Sequence, residues 1–196
     1  MNLPNKLTVL RMVLIPFMMF FYLASFIPHG IGKIVALVIF IVAALTDMLD
    51  GKIARKYNLV TNLGKFLDPI ADKILTASAL FMLMADGTIP APWGVIVITI
   101  IIAREFMVSA LRLIAASQGT VLAADIWGKA KTMVQMIAIP VCMLIPFLAA
   151  LTSVPNALVL TVAIIGWVLL GAATVLTVVS GTNYLVKNRQ CFKGDK

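Results

Sequence analysis

Six long apolar stretches follow one another along this chain, separated only by short polar turns. A helix needs about 20 apolar residues to cross the hydrocarbon core of a bilayer. Hydrophobic residues make up 62% of the 196 residues, well above the share in soluble domains. The sequence therefore predicts an all-α, polytopic membrane protein, a six-transmembrane-helix bundle forming one domain over residues 1–196. The predicted spans are 9–27, 33–57, 62–85, 93–117, 124–149 and 155–186, preceded by a short N-terminal interfacial segment over residues 2–8.

Basic residues mark one end of the predicted helices. They cluster near the N-terminus, around the turn between spans two and three, at the start of span five and in the C-terminal tail. Cytoplasmic loops of membrane proteins are enriched in Lys and Arg. We therefore predict an integral protein of the cell membrane, with both termini cytoplasmic. The net charge of +8 indicates these loops and anionic lipid rather than nucleic acid as a partner.

Four of the eight acidic residues lie within residues 47–72, as the pairs Asp47/Asp50 and Asp68/Asp72. Spacings of three and four residues place each pair on one helix face. The two helices run from the same cytoplasmic turn, so both pairs reach a similar depth. Converging carboxylates in an apolar chain need a counter-charge, and a hard divalent cation is their natural ligand. The pattern predicts a two-metal site for in-line phosphoryl displacement, and ion pairing with Arg55 or nearby lysines is the structural alternative.

Small residues lie between the two aspartate pairs, at Gly51, Ala54 and Gly64. Such residues let helices pack closely in membranes. They could equally form a close-approach surface for a flat base and ribose, and their position between the carboxylates favours this second interpretation.

A basic cluster is predicted at the same depth as the aspartates. Arg104 and Arg112 are eight residues apart in an apolar stretch, and Lys131 lies near the start of span five. Guanidinium groups bind phosphate oxygens in a forked geometry. We therefore predict a phosphate-binding site in a cavity that faces the cytoplasm. The alternative is an ion pair between Arg104 and Glu105, with the long side chains reaching the interface.

Together these residues resemble the full signature of the CDP-alcohol phosphotransferase family. In order, with x for intervening positions, the match reads Asp47-x₂-Asp50-Gly51-x₂-Ala54-Arg55-x₈-Gly64-x₃-Asp68-x₃-Asp72. Less specific matches are found over residues 4–11, 66–73, 103–112 and 128–132, so the resemblance covers nearly the whole chain.

The resemblance implies a six-helix transferase, usually a homodimer. The implied donor is CDP-diacylglycerol and the implied acceptor is sn-glycerol 3-phosphate, giving phosphatidylglycerol phosphate and CMP. Two divalent ions, Mg²⁺ or Mn²⁺, would be held by Asp47, Asp50 and Asp68, with Asp72 as a further ligand or as the catalytic base. The remaining implied contacts are those of the CDP group with Gly51, Ala54, Arg55 and Gly64, and those of the acceptor phosphate with Arg104, Arg112 and Lys131.

Other functions stay open at this point. A different member of the family would use inositol phosphate, phosphatidylglycerol or serine as acceptor, although the basic cluster favours a phosphorylated one. A cation-coupled membrane transporter would distribute its ionisable residues across the bilayer, whereas here they crowd toward one side. An aspartate-rich prenyltransferase would also use Mg²⁺ and pyrophosphate, but the spacing between the pairs fits it poorly.

Overall fold

A computed structural model of the chain describes residues 2–24, 26–27, 30–56, 62–117, 122 and 125–188, with residues 3–4, 48–56, 62–63, 65–66 and 117 described by their backbone alone. These residues form six α-helices. In chain order they are α1 (Leu3–Leu23), α2 (Ile31–Lys56), α3 (Asn62–Ala85), α4 (Ala91–Ser117), α5 (Ile126–Ala150) and α6 (Asn156–Lys187). The all-α prediction is confirmed, and each predicted span corresponds to one helix.

The N-terminal boundary differs from the prediction. Helix α1 begins at Leu3, so most of the segment expected to precede the first span forms the opening turns of α1. Pro4 lies in the first turn of this helix, where its missing N–H would have had no intrahelical partner. A separate interfacial segment is therefore not confirmed.

Four of the helices are long and apolar enough to cross a membrane by length and composition: α1 from Asn5, α4 to Ala116, α5 and α6. This agrees with the prediction of an integral membrane protein. Helices α2 and α3 are also long, at 26 and 24 residues, but they carry the predicted aspartates together with several lysines. Pro140 and Pro146 do not interrupt α5, in keeping with the tolerance of membrane helices for proline.

The helices pack mainly as sequence neighbours. The most extensive contacts join α5 to α6 and α1 to α2, while α3 packs on α1 and α4, and α2 also contacts α5. The main core lies between these helices and includes the fully buried Phe40, Leu80 and Ile139. Large apolar side chains such as Phe106 and Val168 are exposed on the outer surface. This packing brings α2 through α6 around one end of the bundle, where the predicted site lies.

Asp86 ties the opposite end of the bundle together. Its carboxylate accepts hydrogen bonds from the Tyr22 hydroxyl (2.6 Å), the Lys33 ammonium (3.1 Å) and the backbone N–H of Thr88 (3.0 Å). Trp167 of α6 donates to the Thr88 carbonyl at 3.0 Å. Burial acts to raise the pKa of Asp86, but the hydrogen bonds from Tyr22 and Thr88 outweigh it and hold that pKa below its usual range. This cluster therefore joins α1, α2, the α3–α4 turn and α6.

Candidate active site

A cavity of about 910 Å³ opens at the end of the bundle away from Asp86. Its walls come from α2, α3, α4 and α5, and from Tyr184 near the end of α6. Part of the lining is apolar and includes Phe40, Leu45 and Met133. Asp47 and Asp72 of α2 and α3 form its acidic side, and Arg104 and Arg112 of α4 form its basic side. The charged residues Lys73, Glu105, Asp125 and Lys129 also line the cavity. Among the predicted site residues whose side chains are described, the structure thus brings four to one cavity: Asp47, Asp72, Arg104 and Arg112.

Helix α1 supplies a hydrogen-bond donor to each of two predicted metal ligands. Arg11 Nη1 lies 2.5 Å from Asp47 Oδ1, and Thr8 Oγ1 lies 2.5 Å from Asp68 Oδ1. Thr8 and Arg11 are three residues apart, so they share one face of α1, and both are completely buried. Each holds one oxygen of its partner carboxylate. No described residue hydrogen-bonds the second oxygen of Asp47 or of Asp68.

Asp72 is the least engaged of the described aspartates at this end. It lines the cavity within electrostatic range of Asp47 and Glu105. Thr76 donates to the main-chain carbonyl of Asp72 at 3.1 Å, but no described residue donates to the carboxylate. Both carboxylate oxygens therefore keep their hydrogen-bonding and ligand capacity.

Several predicted residues are placed only in part. Asp50, Gly51, Ala54 and Arg55 belong to α2, but their side chains lie outside the described residues. Gly64 is buried near the start of α3. The predicted contacts of these residues with a metal or with CDP therefore stay predictions.

The aspartates suit a divalent cation by their chemistry. Among the residues whose side chains are described, no three acidic, His or Cys groups already meet as a metal site. Mg²⁺ nevertheless prefers carboxylate oxygens and keeps part of its water shell. Asp47, Asp68 and Asp72 each retain at least one oxygen without a donor among the described residues, and Asp47 is 34% exposed. This donor set fits the predicted metal, with Asp50 as the remaining predicted ligand.

The basic side of the cavity is organised by Glu105. Arg104 Nη1 lies 3.3 Å from Glu105 Oε1, and Lys131 donates to the same oxygen from α5. The ion pair considered as an alternative for Arg104 is thus present, yet Arg104 also lines the cavity. Lys131 is only 2% exposed and does not belong to the cavity lining. The structure therefore places Lys131 behind the wall, where it partners Glu105.

Arg112 has a different support. Its Nε donates to the Tyr184 hydroxyl at 3.3 Å, and its guanidinium carbon lies 5.7 Å from the centre of the Tyr184 ring. Tyr184 is buried, whereas Arg112 is exposed at the cavity. Lys129 and Asp125 line the same cavity. The Asp125 carboxylate accepts a hydrogen bond from the first N–H of α5, that of Ile126, at 2.8 Å. Among the described cations that line the cavity, Arg112 and Lys129 are therefore the most exposed to an incoming anion.

Sequence reasoning assigned no role to Thr8, Arg11, Lys129 or Tyr184. Thr8 and Arg11 do occur in the N-terminal match to the family pattern, which is the one signal that could have singled them out. Lys129 was counted among the cytoplasmic basic residues and lies within the family match over residues 128–132, but only Lys131 was assigned to the acceptor phosphate. Nothing in the local sequence around Tyr184 indicates that it contacts an arginine 72 residues earlier.

Comparison with known proteins identifies the family. The family model described as CDP-alcohol phosphatidyltransferase matches residues 1–179. The chain belongs to this family. The resemblance inferred from the aspartate signature is therefore confirmed, and with it the prediction of an enzyme. Membership favours a CDP-alcohol phosphatidyltransferase over the transporter and prenyltransferase alternatives.

Individual relatives match over most of their length. A Bacillus subtilis protein is 44% identical over 98% of this chain and 97% of its own. A Rickettsia felis protein is 34% identical, with 97% of both chains covered, and one from Haemophilus influenzae is 39% identical over 70% of this chain and 73% of its own. All three are named CDP-diacylglycerol–glycerol-3-phosphate 3-phosphatidyltransferase.

Proposed function

We propose that this CDP-alcohol phosphatidyltransferase moves the phosphatidyl group of CDP-diacylglycerol to sn-glycerol 3-phosphate, giving phosphatidylglycerol phosphate and CMP. The observation that carries the proposal is the cavity with Asp47 and Asp72 on one side and Arg104 and Arg112 on the other. The acidic side suits a pyrophosphate bound with metal, and the basic side suits the phosphate of the acceptor. The names of the three relatives support the same reaction.

The acidic side would hold the metal ions. Two divalent ions, Mg²⁺ or Mn²⁺, supply charge neutralisation at the pyrophosphate and polarise the phosphorus under attack when they are bound. Asp47, Asp50 and Asp68 are the proposed ligands, with Asp72 beside them. The hydrogen bonds from Thr8 and Arg11 would keep two of these carboxylates in a fixed orientation.

Asp72 is the proposed general base. Its carboxylate accepts the proton of the acceptor's 1-hydroxyl, and the hydroxyl oxygen forms a bond to the β-phosphorus of the donor. The bond from that phosphorus to the bridging oxygen breaks in line, and CMP leaves with the electron pair. The support for this role is that Asp72 lines the cavity and accepts no hydrogen bond from a described residue at its carboxylate.

The two substrates would enter from different phases. The apolar side of the cavity, including Phe40, Leu45 and Met133, suits the lipid part of CDP-diacylglycerol, whose acyl chains stay in the bilayer. The CDP group would lie against the residues of the signature between the aspartate pairs: Gly51, Ala54, Arg55 and Gly64. Glycerol 3-phosphate would come from the cytoplasm to Arg112 and Arg104, with Lys131 contributing through Glu105 rather than as a direct contact.

The membrane arrangement is part of the proposal. Helices α2 and α3 would extend about 39 and 36 Å at the rise of an α-helix, enough to cross the bilayer together with the four more apolar helices. We place both termini and the cavity on the cytoplasmic side of the cell membrane, as the basic loops indicate. The chain would act as one domain and, by family resemblance, as a homodimer.

One assay tests the reaction. Purified protein would receive CDP-diacylglycerol, Mg²⁺ or Mn²⁺, and a panel of acceptors, and CMP release would be measured. We expect release with glycerol 3-phosphate and its loss when the metal is chelated. CMP release only with inositol phosphate, serine or phosphatidylglycerol would contradict the acceptor while leaving the family chemistry in place.

A further inference from the structure

Arg104 occupies a confined position in the cavity wall. Its side chain is 12% exposed, and its Nη1 is held by Glu105 at 3.3 Å. The Nε of Arg104 is buried and has no hydrogen-bond partner among the described residues. Arg112 differs, since it is exposed and hydrogen-bonds, among the described residues, to Tyr184 alone. The hydrogen bond to Glu105 therefore fixes one nitrogen of the Arg104 guanidinium, and packing must fix the rest of the side chain.

Two glycines from different helices flank that side chain. A Cβ atom on Gly181 of α6 would lie 3.1 Å from Cγ of Arg104, close to the root of its side chain. A Cβ atom on Gly128 of α5 would lie 3.2 Å from Nη2, at the tip of the same side chain. Both distances are shorter than ordinary carbon contacts of about 3.5–4.0 Å. Arg104 thus lies in a slot that exists because neither glycine carries a side chain.

Helix propensity does not explain glycine at these positions. Glycine inside a helix is less favourable than alanine, so alanine would be preferred if only the helices mattered. Gly171, ten residues before Gly181 on α6, shows the contrast: a Cβ atom there would meet nothing within 4 Å. The close approach of Arg104 distinguishes Gly128 and Gly181 from such a position.

We propose that Gly128 and Gly181 are positioning residues that hold the Arg104 guanidinium in place for the phosphate of the acceptor. Glu105 completes the arrangement by anchoring Nη1. This inference rests on the proposed function, because the acceptor phosphate is the anion that Arg104 would bind. A methyl group in the slot would displace Arg104 by a few tenths of an ångström without touching the aspartates.

The first test compares two alanine substitutions on the same helix. Gly181→Ala should raise the KM for glycerol 3-phosphate about fivefold, because small misplacements of a positioning group are costly, and should leave the KM for CDP-diacylglycerol unchanged. Gly171→Ala is the matched control and should change neither KM. If Gly181→Ala behaves like Gly171→Ala, the slot has no positioning role.

A double-mutant cycle asks whether the effect passes through Arg104. In an Arg104→Ala background the displaced side chain is absent, so adding Gly181→Ala should cause no further rise in KM. A full additional fivefold rise in that background would overturn the proposal. If Gly181→Ala does not fold, the cycle is repeated with Gly128→Ala, whose added methyl group would meet the tip of the Arg104 side chain. The expected result is the same: no further rise in KM in the Arg104→Ala background.

A binding measurement separates this inference from the proposed reaction. Calorimetry with inorganic phosphate needs no turnover, and Gly181→Ala should weaken phosphate binding while Gly171→Ala should not. If the wild-type protein prefers another acceptor in the CMP-release assay, the proposed acceptor is wrong. The phosphate-binding result would still test whether the two glycines position Arg104. Equal phosphate affinity in wild type, Gly181→Ala and Gly128→Ala would overturn the positioning role of the two glycines, even if glycerol 3-phosphate is the acceptor.

Discussion

Carboxylates occur at both ends of the helix bundle, and the protein surrounds them differently. Asp86, at one end, accepts hydrogen bonds from Tyr22, Lys33 and Thr88. At the cavity end, Asp47 and Asp68 each accept one hydrogen bond from a described residue, and the carboxylate of Asp72 accepts none. The protein therefore satisfies Asp86 internally and leaves oxygens available at the cavity. This difference separates a structural cluster from a group of carboxylates with the capacity to bind a ligand.

The largest expected effect tests this contrast with one chemical change made at both ends. Asp72→Asn removes the proposed base and should lower kcat by roughly 10³-fold, within the range of general acid–base catalysis, while binding of CDP-diacylglycerol persists. Asp86→Asn is the matched control and should keep kcat close to wild type. CMP-release kinetics measure both, and near-normal turnover in Asp72→Asn would rule Asp72 out as the base.

A second prediction concerns the support given by α1 to the metal ligands. Thr8→Val keeps the shape of the side chain but removes the hydrogen bond to Asp68. Loss of such an outer-shell partner should weaken metal affinity about tenfold. Binding of Mn²⁺, followed by electron paramagnetic resonance without substrate, provides the readout.

The control for Thr8→Val lies on an outward face of the bundle. Thr161 of α6 is exposed and its hydroxyl donates only to the carbonyl of Ala157 at 2.8 Å. Thr161→Val should leave Mn²⁺ binding unchanged. Equal Mn²⁺ affinity in Thr8→Val and wild type would show that the bond to Asp68 does not orient a metal ligand.

A third prediction compares two tyrosines. Tyr184→Phe removes the hydroxyl that accepts from Arg112 and should raise the KM for glycerol 3-phosphate about threefold, the worth of an ordinary hydrogen bond. Tyr22→Phe removes a donor to Asp86 and should lower thermal stability with no change in that KM. A raised KM in Tyr22→Phe alone would reverse the assignment of the two ends.

The smallest effect concerns the pH dependence of stability. Because the pKa of Asp86 is lowered in the folded protein, its ionised form contributes stability above its unfolded pKa of about 3.9. That contribution is lost as the pH falls through the lowered folded pKa. Thermal unfolding in detergent should therefore show a smaller loss of stability between about pH 6 and pH 3 for Asp86→Asn than for wild type. An identical loss in both proteins would show that Asp86 does not contribute in this way.

The sequence predicted the site's chemistry better than its supports. The signature from Asp47 to Asp72 is local, and helical spacing alone relates its members. The bonds from Thr8 to Asp68 and from Arg11 to Asp47 join residues 60 and 36 positions apart. No periodicity within one helix reveals which face of α1 meets α2 and α3, so those two donors could not be assigned.

Lys131 illustrates the same limit on the basic side. From its charge and depth it was expected at the acceptor phosphate, together with Arg104 and Arg112. The structure instead buries Lys131 against Glu105, outside the cavity lining. A difference of two residues along α5 rotates the side chain by more than half a turn, and it is Lys129 that reaches the cavity. The sequence thus predicted the depth of Lys131 along the bundle, but not whether its side chain faces the cavity.

By itself, the sequence determined that the chain is helical and suited to a membrane, and it identified the family through the spacing of its aspartates. Those properties depend on composition and on order along one or two helices. Only the tertiary structure decided that α1 supports the aspartates, that Glu105 joins Arg104 to Lys131, and that two glycines make room for Arg104. The physical reason is that these contacts depend on how helices are rotated against one another, which many side chains decide together.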